Sequence, residues 1–314
     1  MTASRVLPAL SGATGMVCVG GSVAVSGALA DAPLATVQSL RYAVACLLLL
    51  AFARLTGRRA VRPRGAEWLW LLGVTAAGLL LFNVALVHGA RHAEPAVLGV
   101  AVACVPILLA LLGPLLEGRG PAPAVVAAAV VVTAGAALVQ GAGRADAIGI
   151  GWAVVTFVCE AVFTLMAVPL LGRHGPLGVS VHTTWLAAVL FGVAALITDG
   201  PSGIRRVTVD QWLATAYLAV AVTAVAFVLW YTAVARLGAG RAGLLTGVAP
   251  VAAAVFGVAL GSPAPSLAVW AGIALVAVGL ALGMSHDQGE RAPKRAKEVY
   301  ATSPELYAVA GHDK

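Results

Sequence analysis

One carboxylate stands deep inside an apolar run of this chain: Glu160, within FVCEAVF. A charge at the centre of a membrane helix costs about 2.5–3.5 kcal/mol on insertion scales, so such a group must face a cavity, a partner or a bound proton. Trp152, Thr156, Glu160 and Thr164 recur every fourth residue, which on a helix makes one slowly drifting face. Such a face suits recognition of a small solute, with the carboxylate meeting an ammonium group or exchanging a proton. The plainer alternative is a protonated carboxyl that bonds between helices.

Other polar groups at depth are few. Arg41 is the basic residue well inside an apolar run; pairing with Glu160, anchoring to carbonyls and snorkelling are its open roles, and it is assigned as a structural charge. Asn83 sits centrally in its run, where an amide serves solute recognition or inter-helix bonding. Thr14, Cys18, Ser22 and Ser26 form a small polar stripe suited first to close helix packing and second to lining a cavity, with Ser22 the candidate contact. Trp230 and Tyr231 stand toward a span end, as aromatic belts do, and Tyr231 is also a candidate substrate contact. Pro106 and Pro250 remove a backbone hydrogen bond in mid-helix, creating kinks that can serve as hinges.

The elements that hold these residues follow from composition. The chain is 61% hydrophobic and 11% charged, with mean hydropathy +0.96; soluble domains hold roughly 45–50% apolar and 25% charged residues. Lipid must therefore be the solvent. A span needs about 20 mostly apolar residues, and runs of that kind lie near 8–29, 34–54, 68–88, 95–116, 123–141, 149–171, 177–198, 211–235, 240–261 and 266–284. The expected fold is an all-α membrane protein of ten transmembrane helices, followed by a disordered cytoplasmic tail over 285–314. Arg and Lys fall mostly on one side of this arrangement: Arg5, Arg54, Arg58, Arg59, Arg62, Arg64, Arg119, Arg173, Arg236, Arg241 and the tail against Arg91, Arg144, Arg205 and Arg206. The bias predicts both termini in the cytoplasm of a cell whose plasma or inner membrane the chain crosses many times.

An internal repeat recurs at an offset of 144 residues: Gly99 with Gly243, Pro106 with Pro250, Gly113 with Gly257, Pro121 with Pro265 and Gly135 with Gly279. Five spans per half is an odd number, so the second copy must be inverted, as in transporters that alternate access around a midplane site. Pro33-Leu34 followed by Arg41, the mid-helix Pro106 and Pro250, Glu117, and the Gly-rich TAGAALV and AVGLALG segments resemble the EamA-like branch of the drug/metabolite transporter superfamily. The resemblance implies one five-helix repeat over 1–145, a second over 146–284, and a cavity lined by helices 1, 3, 4, 6, 8 and 9. Two departures stand out: Gly20-Gly21 replaces the usual tryptophan-glycine, and Gly261-Ser262 occupies the place of the second acidic residue.

These readings predict a secondary transporter, an exporter of a small organic metabolite such as an amino acid, with proton exchange as the expected coupling. The rival readings are a passive facilitator or channel and, further off, a membrane-embedded enzyme acting on lipid-linked substrates. The densest outer cluster, Arg91, His92 and Glu94, reads as plain loop residues. No phosphate-cradling loop or HExxH motif is present, and Cys18, Cys46, Cys104 and Cys159 lack paired spacing. No enzyme activity, cofactor, metal or nucleic-acid partner is expected; the partners are a small molecule, protons and membrane lipid.

Overall fold

The computed structural model describes residues 3–22, 25, 27–29, 31–58, 60–261 and 263–285. The tail assigned to 285–314 lies outside them beyond Ser285, as do Ser26, Arg59 and Ser262. Helical rods account for nearly all of the described chain, with no strand among these residues beyond the isolated Ala93–Ala145 bridge. In chain order the rods are α1 (Ala3–Gly21), α2 (Leu34–Leu55), α3 (Glu67–Gly89), α4 (Pro95–Leu116), α5 (Pro123–Gln140), α6 (Ala147–Leu165), α7 (Val168–Thr198), α8 (Val209–Leu237), α9 (Ala239–Ala259) and α10 (Leu267–Ser285). Nine of them, α2 to α10, are long and apolar enough to cross a membrane. α1 is shorter than the 8–29 run expected for it, and its Ser, Thr, Gly and Arg residues dilute its hydropathy. Leu47, Leu69, Ile197 and Leu267 are among the large apolar side chains left exposed on the outside, which is the surface a hydrocarbon solvent requires.

Local chemistry sets the ends of the rods. Proline opens α4 and α5, where its missing N–H would be unpaired in any case. The Asp146 carboxylate accepts the Gly149 N–H at the start of α6, and Thr208 with Gln211 forms a capping box on α8. The Gly149 N–H, together with the His92 imidazole, holds the Asp146 carboxyl below the usual carboxylate range. α7 is two helices joined at Gly175, whose φ of 65° is open to glycine but strained for other residues. Pro176 then starts the long arm.

The 144-residue offset reaches the architecture. Ala3 and Ala147, Pro95 and Ala239, and Pro123 and Leu267 begin matching rods at that spacing. The π-helical stretches inside α3 and α8, Val74–Leu81 and Leu218–Val225, obey it at both ends. The rods carrying Pro106 and Pro250 are each interrupted shortly before that proline, α4 at Cys104 and α9 in the 3-10 turn Leu245–Gly247. α5 and α10 make the most extensive inter-helix contact, and it is reciprocal. A Cβ on Gly135 would lie 2.7 Å from the Gly272 carbonyl, and one on Gly279 would lie 3.1 Å from the carbonyl of Ala128, the residue 144 before Gly272. Small residues let the two backbones approach this closely.

Candidate functional site

Several helices bring polar groups to the interior, α2, α3, α6 and α8 among them. Gln38 and Arg41, one turn apart, are both buried, with Thr36, Ser39 and Tyr42 as further polar neighbours on the same span. Arg41 Nε donates to Thr223 Oγ1 at 2.7 Å, within the π-helical stretch of α8, and Nη1 donates to Gln38 Oε1 at 3.3 Å. Gln38 Nε2 donates to Asn83 Oδ1 at 2.5 Å. The Asn83 amide in turn donates to the Leu79 carbonyl at 2.7 Å and to the Tyr42 hydroxyl at 3.3 Å. Asn83 thus closes a network that runs from α8 through α2 to α3, and it serves the carbonyl at the end of the α3 π-turn. Such turns widen a helix and leave carbonyls needing partners.

Arg41 carries its charge in this network without an acid. Its ion pair with Glu160, one of the roles open in the sequence, does not form; the partners are the neutral hydroxyl of Thr223 and amide of Gln38. The two residues approach the interior from different helices, and α2 packs chiefly on α7 rather than on α6. Arg41 Nη2 has no protein acceptor among the described residues, yet it is not sealed from free space. Guanidinium also lies over the Tyr42 ring, 5.1 Å from its centre.

Glu160 makes no hydrogen bond or ion pair among the described residues. It is densely surrounded by protein, but its carboxylate oxygens still touch free space. The Tyr231 hydroxyl lies within electrostatic reach of both Glu160 and Tyr42. Tyr231 itself is fully buried, packing on Phe163 and Phe227 at ring separations of 5.3 and 6.2 Å. Tyr42, Tyr231, Asn83 and Glu160 therefore converge from α2, α8, α3 and α6.

The rest of the α6 face divides. Thr156 is fully buried and donates to the Trp152 carbonyl at 2.9 Å; Thr164 is buried and accepts the Trp230 indole N–H at 3.0 Å. Trp152 is half-buried and stacks on His88 at 5.4 Å. Ser22 donates to the Val19 carbonyl at 2.6 Å at the end of α1. The belt reading of Trp230 and Tyr231 is corrected: they are 3% and 0% exposed, because the apolar rings pack into the core while the indole N–H finds Thr164. Pro106 is buried and Pro250 half-buried, each just past an interruption in its rod.

Gln38 and Tyr42 were not singled out in the sequence, although both take part in the network. An amide three residues before a buried arginine was the available signal.

Compared with known proteins, the profile described as the EamA-like transporter family matches twice, over residues 7–140 and 147–284. The chain is 31% identical over 235 residues to a protein of Streptantibioticus cattleyicolor named "Probable terminal-alkyne amino-acid exporter", covering 74% of this chain and 78% of that one. It is 28% identical over 262 residues to "Uncharacterized transporter YetK" of Bacillus subtilis, covering 80% and 79% of the two. A solved structure titled "Crystal structure of protein" has the same fold with a TM-score of 0.76, over 88% of this chain and 96% of its own, at 22% identity. With a family profile covering both halves of a multi-pass helical chain, and named transporters aligned along most of its length, the protein belongs to the EamA-like transporter family.

Proposed function

We propose that the protein is a secondary transporter exporting a small zwitterionic metabolite of the amino-acid type, with Glu160 receiving the ammonium group and Arg41 the carboxylate. The carrying observation is Glu160: an acid inside the bundle, in reach of Tyr231, without a protein partner among the described residues and still open to free space. Such a group is expensive to keep in a membrane unless function uses it. Arg41 offers the complementary charge, with Nη2 lacking a protein acceptor. Tyr42 and Asn83 are bonded into the Arg41 network, and the Tyr231 hydroxyl, which donates to the Phe163 carbonyl at 3.5 Å, lies within electrostatic reach of Glu160. The printed name of the Streptantibioticus relative, an amino-acid exporter, agrees with this substrate class.

Transport proceeds by rocking two inverted five-helix halves, 1–145 and 146–284, about this site. The matched rod starts and the reciprocal α5–α10 contact support that arrangement. The interruptions before Pro106 and Pro250 are the places where the rods bend. Exchange against protons supplies the energy, with Glu160 binding substrate and proton in turn. The chain sits in the cell membrane with both termini in the cytoplasm, in keeping with the Arg and Lys bias.

The test is flux into proteoliposomes from a panel of amino acids, with and without a pH gradient. Glu160→Gln is expected to weaken substrate binding roughly tenfold to a hundredfold, the range for hydrogen bonds to charged groups, and to abolish the response to the gradient. Full flux with an unchanged pH response in that variant would remove Glu160 from the mechanism.

A further inference from the structure

The α2–α3 connection is short of apolar residues and rich in arginine, yet it is not loose. The His182 ring meets the Val61 carbonyl at 2.8 Å from α7, and Arg173 donates to the Arg62 carbonyl at 3.0 Å. Glu67 accepts the Arg64 N–H at 2.7 Å, pairs with Arg173 and lies 3.1 Å from His174 Nε2. The Trp185 indole N–H donates to His182 Nδ1 at 3.2 Å, and the Trp68 ring meets the Trp185 ring edge-on at 6.2 Å. The connection is thereby fastened to α7 at two backbone points, the Val61 and Arg62 carbonyls, and to the start of α3 at a third, the Arg64 N–H, with Glu67 paired to Arg173 and close to His174.

Between the connection and the bend lies an open cleft of about 390 Å³. Arg58 and Arg173 are among its lining, together with the apolar side chains of Ala53, Val61 and Leu177. Its size falls within the roughly 300–1,000 Å³ of small-ligand pockets. Arg173 is held by Glu67, whereas the Arg58 guanidinium is exposed and has no partner among the described residues. Arg54, Arg62 and Arg64 are exposed nearby in sequence, so the local balance is strongly positive against the one acid, Glu67. The cleft stands where α2 ends and the long arm of α7 begins, which is the level of lipid headgroups rather than of acyl chains.

We propose that this cleft binds the phosphate headgroup of an anionic phospholipid, with Arg58 and Arg173 contacting the phosphate oxygens and the Ala53, Val61 and Leu177 side chains receiving the glycerol. A basic pocket between helices at the membrane boundary is the setting in which such headgroups are held. The rigid connection matters because it keeps the cleft formed before the lipid arrives, which lowers the ordering cost of binding. Occupancy would tie the α2 end to the α7 bend.

The test uses the full chain in detergent and native mass spectrometry with three probes: dioctanoyl phosphatidylglycerol, dioctanoyl phosphatidylcholine and inorganic phosphate. Phosphatidylglycerol is expected to bind in preference to phosphatidylcholine. Arg58→Gln is expected to weaken it about fivefold, the size of one arginine near a charged surface, while Arg54→Gln, outside the cleft lining, and Arg205→Gln, beyond the other end of α7, keep the affinity. Arg58 bonds to nothing with its side chain among the described residues, so the variant's melting temperature should match the parent's and a folding defect is readily recognised. Equal binding of the two lipids, an Arg58→Gln variant with unchanged affinity, or equal losses in Arg54→Gln would overturn the proposal. Displacement of phosphatidylglycerol by inorganic phosphate at matched concentration would also overturn it, since the site would then be one for a free anion.

Discussion

Thr223 decides how much a buried arginine costs this protein. Its hydroxyl accepts Arg41 Nε at 2.7 Å, and no acid compensates the guanidinium, so neutral dipoles carry the burden alone. Thr223→Val keeps the shape and removes the acceptor, leaving a charged N–H unpaired in the interior. The expected loss is about 1–3 kcal/mol, read as a lower melting temperature in detergent, with Thr223→Ser restoring most of it. An unchanged melting temperature in the valine variant would mean that water or a ligand, not Thr223, solvates the guanidinium. At this scale the sequence was partly legible. Glu160 announced itself because a carboxylate amid FVCEAVF has no ordinary explanation. The Gln38–Asn83 and Asn83–Tyr42 bonds did not, because helical period reveals which face a residue shares and not which helix faces it. Trp230 was misplaced for a related reason: its position along the rod suits a belt, and only the packing of Thr164 against it shows an inward orientation.

Helices in this chain are shaped as much by glycine and by irregular turns as by apolar content. The π-turns in α3 and α8 carry Gly78 and Thr223, and at Gly78 the α3 backbone passes so close to α6 that an added Cβ would lie 2.8 Å from the Phe163 Cα. Gly135 plays the same part between α5 and α10, with the Gly272 carbonyl 2.7 Å from the place of its missing Cβ. Backbone, unlike a long side chain, cannot swing aside. Gly135→Ala should therefore force the rods apart at a cost of about 1–3 kcal/mol, as overpacking does, whereas Gly151→Ala on α6 meets nothing within 4 Å and should be neutral. Comparing the melting temperatures of the two variants checks this, and equal behaviour would refute the close approach. Span positions were readable from apolar runs ended by charge, proline or glycine; the π-turns were not, since their residues, VTAAGLLL and LAVAVTAV, are ordinary helix sequence.

Duplication is the feature that joins these details into one molecule. Glycine and proline coincidences revealed it over part of the chain, while the rods repeat from Ala3 with Ala147 to Pro123 with Leu267. The polar groups break the pattern: 144 residues from Glu160 stands Met16, and 144 from Asn83 stands Phe227. A scaffold repeated and a site not repeated is what a two-part machine with one substrate site would need. The proposed inversion of the two halves makes a prediction about sides. Because each half holds an odd number of rods, residues 144 apart must face opposite compartments, and both ends of the chain the same one. The measurement replaces Cys18, Cys46, Cys104 and Cys159, which are free thiols, and introduces single cysteines for labelling by an impermeant maleimide in intact cells. Cysteines at Arg91, Arg144 and Arg205 are expected to react from outside, and those at Arg62, Arg119 and Arg295 only after the membrane is opened. Charge placement and rod parity lead to this one pattern by independent routes, arginine bias through the energetics of insertion and parity through geometry alone. Outside labelling at both Arg62 and Arg119 would contradict the arginine bias, labelling of only one of the two from outside would contradict the parity, and a split between the chain ends would leave the halves parallel, with no way to exchange the access each gives to the interior.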